Sequence, residues 1–564
     1  MKRFERGFTI IELMMATLLT LMLMLIVVGL FAAVSEGIRN SRATMEMAGR
    51  LRATKRKLQL DLEGRTVIVS PPARPAAGEG YLEIIEGPLG PAPVPDPKPV
   101  NFDEPDPIDP TQPAVDTTVA DFDDILMLTT RSRAGPFVGR YGGGTIQSYE
   151  TEVAWFVRGR TLYRRVLLIA PQVMPDLDTD ANGVVDLVDT ANESFYALYD
   201  ISARLEYDIS GAMWGWVPNT LGDLTKRENR FAHRLNASSY VFPFDAGRWG
   251  QLGLPILCEC SHPSWMDPAA LPPQVTPVNQ IDLWNNPHPW VDASNLPQVD
   301  RTTGAHLAFY NPGSPAPGQR IAEDVILTNV IGFDIKVWDP EAPVFWAVND
   351  NHTPADLRDD TSISGLVVRP GDAGYPLAQA RWVHELVTNP GNAQNTSFAP
   401  RQRGAYVDLG YAEYPALVYH GSDTNGDGVN DTVDPRYNQI YNLMSTFPGP
   451  GNASSGLVRV YDTWSFHYEH DGVNQDGDTD ASGAPLIDEG TDGFDNDGDG
   501  VVDDGPNVDL NGDGVFSGPA ELGEMEAIAP YPVPLRGIQI KIRTFEPDSR
   551  QVREVTVVAD FSLK

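Results

Sequence analysis

Cysteine is nearly absent from this chain of 564 residues: only Cys258 and Cys260 occur, one residue apart in LCEC. A disulfide across so short a loop is strained and Cys-x-Cys alone is a weak metal signature, so the pair reads first as two plain thiols. The disulfide framework of a small secreted domain is thereby excluded. Histidine is also thin, at nine residues, which leaves few bases for proton transfer. HExxH, GxSxG, a phosphate loop and GxGxxG are all missing. His384-Glu385 lacks the second His of a zinc-protease helix, and His467, Glu469 and His470 in FHYEH read as surface packing before a metal site. An enzyme is not expected. Positive charge is short as well: 42 Lys and Arg stand against 77 Asp and Glu, a net of -35. Such a surface repels a nucleic-acid backbone and attracts cations, so no nucleic-acid partner is expected.

What the chain does have is one long apolar run. Leu13 to Val34 carries no charge over 22 residues, enough at 1.5 Å per residue to cross a hydrocarbon layer about 30 Å thick. Lys2, Arg3 and Arg6 precede it, so the positive-inside bias places residues 1–7 in the cytoplasm and sends the rest across the membrane. A secretory signal peptide is the alternative, with AAVSEG as its cleavage site. Glu12 argues against it, because a carboxylate at the lip of an apolar helix is costly in lipid and marks a specific partner.

The stretch Gly7-Phe8-Thr9-Ile10-Ile11-Glu12-Leu13 resembles the signature of type IV prepilins and type II secretion pseudopilins. The resemblance implies cleavage after Gly7 by a prepilin peptidase, N-methylation of Phe8 as the mature first residue, and pairing of Glu12 with the terminal amine of a neighbouring subunit. Beyond the run, Met45, Ala48, Leu51, Leu58 and Leu62 recur at helical spacing, with Arg39, Arg42, Arg50, Arg52, Lys55, Arg56 and Lys57 on other faces. A single helix of roughly 55 residues ending at Gly64 is expected, with a break at Gly37 as the alternative.

Past Gly64 the pattern changes to short strands: 65–69, 81–87, 123–133, 153–159, 161–170, 196–209, 325–339, 406–412, 537–547 and 553–563. Alternation in the last two sets Ile538, Ile540 and Ile542 opposite Val555, Val557 and Ala559 as an antiparallel hairpin. This order resembles the J-type minor pseudopilin or W-type minor pilin over about residues 7–70, 120–210, 325–340 and 535–564. The expected fold is α+β: a long amino-terminal transmembrane and amphipathic helix packed on an antiparallel sheet, pilin-like by resemblance, with large loop-rich, Asp-rich insertions. The divisions are a leader at 1–7, a transmembrane helix at 8–34, its amphipathic continuation at 35–64, and a first β part at 65–210 with a Pro-rich loop at 88–113. An insertion at 211–324, a core strand at 325–340, a second insertion at 341–534 and a hairpin at 535–564 complete them.

Runs of alternating acids carry a cation signal. Asp178, Asp180, Asn182, Gly183, Val184 (through its carbonyl), Asp186 and Asp189 occupy positions 1, 3, 5, 6, 7, 9 and 12 of a calcium loop. Asp423, Asn425, Asp427, Gly428, Val429, Asp431 and Asp434 repeat the same offsets. A hard cation takes six to eight oxygens, which alternate residues supply while Gly permits the bend. A third cluster offers Asp478, Asp480, Ser482 and Glu489, then Asp495, Asp497, Asp499 and Asp503. Structural Ca2+ is the expected cofactor; an acidic, unstructured tract is the alternative. The function these features point to is a minor pseudopilin or minor pilin at an inner membrane, at a filament tip and with other pilin subunits as partners. The competing reading is an anchored binding module that meets secreted cargo or a surface through Trp214, Trp216, Trp265, Trp284 and Trp290.

Overall fold

The computed structural model describes residues 9–69, 77–86, 100–105, 113–115, 124–173 except 142, 159 and 160, 199–207, 213–231 except 227 and 228, 323–349, 357, 360–412 except 373, 419–422, 432–433, 436–437, 440–441, 460–463, 467, and 534–561 except 548–550. It is an α+β fold. One helix, α1, spans Ile10–Glu63 without a break at Gly37; its 54 residues reach about 80 Å. Gly64 ends it for a packing reason. Its φ of -86° is one that any residue adopts, but a Cβ there would meet Thr130 Oγ1 at 2.5 Å and the Arg131 carbonyl at 2.6 Å. The missing side chain lets the Arg131 amide donate to the Gly64 carbonyl at 2.8 Å.

Two antiparallel sheets receive the second half of this helix. The strands, in chain order, are β1 (Leu82–Ile85), β2 (Ile125–Arg131), β3 (Glu150–Arg158), β4 (Thr161–Leu168), β5 (Glu323–Thr328), β6 (Val330–Asn349), β7 (Thr361–Val368), β8 (Gln402–Val407), β9 (Val460–Asp462), β10 (Gly537–Glu546) and β11 (Gln551–Asp560). The first sheet runs β5-β4-β3-β2-β1-β9 and the second β7-β6-β10-β11, with β8 also on β6. The terminal hairpin has the register read from alternation: Ile538 faces Ala559, Ile540 faces Val557, and Ile542 faces Val555. Of the 65–69 segment only Arg65 joins a ladder, as a bridge to Thr130.

Two strands joined at a corner occupy residues 325–340. Asn329, at φ 57°, takes the left-handed conformation that Asn tolerates better than most residues. It turns the chain from β5 in the first sheet into β6 in the second, where its carbonyl accepts from Phe545 N at 2.9 Å. β6 then continues to Asn349, pairing in turn with β10, β8 and β7. Residues 341–349 thus extend the core strand. The boundary at 210/211 likewise divides a hairpin, since Met213–Pro218 pairs with Ala203–Tyr207.

Met47, Leu51, Leu58 and Leu62 of α1 bury against Leu82, Leu126, Val153 and Trp155 of one sheet and Phe333, Ile335, Ile540 and Val557 of the other. Of the helix's two methionines here, Met47 is buried, at 5% exposed, whereas Met45, expected on that face, is 68% exposed. Both are apolar, and only the sheet's position decides between them. Behind the first sheet, residues 199–207, 213–226 and 229–231 form a second cover. There Arg230 lies fully buried between Glu83 at 3.0 Å and Asp462 at 2.7 Å. Glu152 accepts from the Tyr81 hydroxyl at 2.6 Å, the Ser202 hydroxyl at 2.6 Å and Phe231 N at 2.8 Å. Burial, reinforced by the neighbouring Glu152, pushes the Tyr81 phenol well above its ordinary range. A second helix, α2 (Tyr375–Thr388), packs Tyr375, Ala378, Trp382 and Val383 on Phe345 of β6 as a separate core. Inside the expected 341–534 insertion, then, residues 375–388 are helix, opened by Pro376 in its first turn.

Candidate functional site: the exposed apolar helix

From Ile10 to Phe31 the helix has a mean hydropathy of 2.6 and is long and apolar enough to cross a membrane. None of this span is buried in the protein. Leu13, Met14, Leu18, Leu21, Leu25 and Phe31 are each about two-thirds exposed. In water so large an apolar surface would carry a heavy free-energy cost, so this segment needs lipid or other helices around it.

Glu12 is the one charged side chain in the span, and its position follows from capping. Thr9 is the N-cap: its hydroxyl accepts from Glu12 N at 3.3 Å, while the Glu12 carboxylate accepts from Thr9 N at 2.9 Å and from the Thr9 hydroxyl at 3.0 Å. This reciprocal pair satisfies two amides that a helix start leaves without intrahelical partners. It also holds the carboxylate at the first turn, at the positive end of the helix dipole. Farther along, Thr17 and Thr20 turn their hydroxyls back to the carbonyls of Met14 at 2.9 Å and Ala16 at 2.6 Å, so neither leaves a bare donor in the apolar stretch.

The opposite end of the helix is fixed by charge. Asp61, buried, accepts from Arg164 Nε and Nη2 at 2.7 Å each and from the Trp155 indole at 2.8 Å. Sequence reading missed this anchor because one acid among surface-type residues reads as solvated. Lys55 adds a bond from its ammonium to the Thr556 carbonyl at 2.9 Å on the outer edge of β11.

The other residues singled out are distributed as follows. Gly7 and Phe8 lie outside the described residues, as do Cys258, Cys260, Trp265, Trp284 and Trp290. So do all the expected calcium ligands: 178–189, 423–434 apart from Thr432 and Val433, and 478–503. Beside the second of these loops, Gly421–Ser422 pairs with Thr432–Val433, which brings together the chain on either side of residues 423–431. Among the described residues no group of three His, Cys, Asp or Glu side chains could hold a metal. His384 belongs to an aromatic stack on α2: its ring lies parallel to His420 at 6.3 Å, and His420 stacks on Tyr437 at 3.9 Å.

Comparison with protein-family models, with curated proteins and with solved structures found no match in any of the three.

Proposed function

We propose that this chain is a minor pilin or pseudopilin: a structural subunit that a prepilin peptidase trims after Gly7 and that assembles through α1 into a filament based at an inner membrane. The observation that carries the reading is Glu12, a lone carboxylate held at the first turn of an exposed apolar span. A neutral glutamine would close the same cap in a plain membrane anchor, so the charge itself is what points to a partner. In assembly the terminal amine of a neighbouring subunit supplies its counterion, and the capping contact to Thr9 keeps the carboxylate hydrogen-bonded beforehand. The packing of the second half of α1 on an antiparallel hairpin that closes the chain supports a pilin-like arrangement. The bulk of the head favours the tip over a close-packed shaft.

The proposal includes structural calcium in the loops 178–189 and 423–434 and in the cluster 478–503. Oxygen donors at six matched offsets in each of the two loops and at four in each half of the cluster support it, as does the short ladder that joins Gly421–Ser422 to Thr432–Val433. Mass spectrometry of the native protein tests the main reading. A mature chain beginning at methylated Phe8 is expected; an intact start, or trimming near Ser35, would overturn it. Glu12→Gln is expected to reach the membrane at normal levels and to lose cross-linking to neighbouring subunits.

A further inference from the structure

On α1 the positions 38, 42, 45, 49, 52 and 56 follow alternating steps of four and three residues, which places them on one stripe. The stripe lies opposite Met47, Leu51, Leu58 and Leu62, which bury against the sheets. Ile38 and Met45 are 65% and 68% exposed, Arg42, Arg52 and Arg56 are exposed, and a Cβ on Gly49 would meet nothing within 4 Å. Two apolar residues, a glycine that lets another backbone approach, and three arginines thus form an open helix-docking seam.

Its charge is opposite to that of the protein. Between Arg39 and Lys57 seven basic residues stand against Glu46 alone, in a chain of net charge -35. Four of the seven are engaged locally: Arg50 with Glu46, Arg56 with Glu63 at 3.9 Å, Lys57 with Asp324 at 3.5 Å, and Lys55 with the Thr556 carbonyl. Arg39, Arg42 and Arg52 have no partner among the described residues.

We infer that this seam receives a helix of a different polypeptide, one with acidic side chains facing Arg42, Arg52 and Arg56, and that a second copy of this chain is a poor neighbour along it. The reason is register. From Ile38 to Arg56 the seam holds no acid, and Glu63, the acid on its continuation, already pairs with Arg56 of its own helix at 3.9 Å, so a parallel copy whose seam overlaps this stretch sets arginine against arginine, methionine, isoleucine or glycine. Like charges in a helix seam select against self-pairing and for a complementary partner. This deepens the filament reading, on which it rests only for where the partner sits.

The test uses the full chain in neutral detergent micelles and two labelled helical peptides identical except for Glu or Lys at the positions facing the seam. The Glu peptide is expected to bind about tenfold tighter, and Arg52→Glu together with Arg56→Glu to reverse the preference. Both substituted side chains are exposed, and Arg52→Glu alone, expected to reduce the preference, serves if the double variant unfolds. Equal binding of the two peptides overturns the inference. So does a ready disulfide joining two copies of a Gly49→Cys variant that lacks Cys258 and Cys260. Loss of the preference once phosphatidylglycerol enters the micelles also overturns it, by assigning the arginines to a lipid surface. Processing after Gly7 is untouched by any of these outcomes, so the two readings fail separately.

Discussion

Arg164 of β4 grips Asp61 of α1 through both carboxylate oxygens at 2.7 Å, with both side chains about 95% buried. It is this pair, with Trp155, that fixes the height at which the long helix meets the first sheet. Removing Arg164 leaves a carboxylate in the core with only the Trp155 indole as a side-chain donor. Arg164→Ala is therefore expected to cost about 3–5 kcal/mol. Asp61→Asn with Arg164→Met, which removes both charges, should recover much of that loss. Urea unfolding of the full chain in detergent reads both values; equal stability of the wild type and Arg164→Ala would show that the pair contributes nothing.

Gly80 sits at φ +74°, and a Cβ there would fall well inside contact distance of Thr129 Oγ1, the atom that accepts from Tyr81 N at 3.0 Å. Gly80→Ala combines a strained backbone with a displaced strand partner, so a loss of about 2 kcal/mol or more is expected. Gly78→Ala, also at positive φ but with nothing near its Cβ position, should cost about 1 kcal/mol from backbone strain alone. Comparing the two melting curves separates crowding from strain.

Asp334 lies on β6 beside Lys336 at 3.3 Å and opposite Lys541 at 3.5 Å, with Asp408 close behind Lys336. Burial pushes its carboxyl above the usual range, against the pull of Lys336 and with a further push from Asp408. The folded chain therefore takes up this proton at a pH where the unfolded chain is still ionised. The group's contribution to stability is fully present below the ordinary carboxylate pKa, about 3.9, and is lost as pH rises through the raised value. The stability of the wild type relative to Asp334→Asn should thus rise as pH falls across that window. A difference that stays constant in stepwise urea melts from pH 7 to pH 4 would refute the assignment.

Chelation bears on the acidic loops. A cation bound to the folded chain alone adds stability that grows with the logarithm of its concentration. The thermal midpoint is expected to fall when calcium is removed. Asp423→Asn with Asp427→Asn should shrink that fall while leaving the calcium-free midpoint near the wild-type value. An unchanged midpoint on chelation removes calcium from the account.

Local pattern carried the elements whose surroundings are simple. The first half of the helix Ile10–Glu63 was legible from an uncharged apolar run, its second half from a 3.6-residue period, and the pairing of Ile540 with Val557 from a 2-residue period. What failed depends on distant partners. Choosing Met47 over Met45 needs the sheet in place, and the corner at Asn329 interrupts a stretch that reads as one continuous strand. The helix Tyr375–Thr388 did carry a usable signal, with Pro376 in its first turn and apolar residues at 378, 382, 383 and 386. It was passed over because the surrounding Gly and Pro read as loop. Of the candidate site, Glu12 was readable from composition alone, whereas its contact with Thr9 and the clamp on Asp61 need coordinates. The calcium loops fall outside the described residues, so spacing remains their support.

The long strand β6 has a mechanical consequence. It is bonded at its start to the hairpin that lies on α1 and at its far end to the strand beside α2. Tension applied between the two ends of β6 runs along that ribbon. Its backbone bonds to β10 are then loaded in shear and share the force, instead of peeling apart one after another. A protein built this way transmits a pull before it yields.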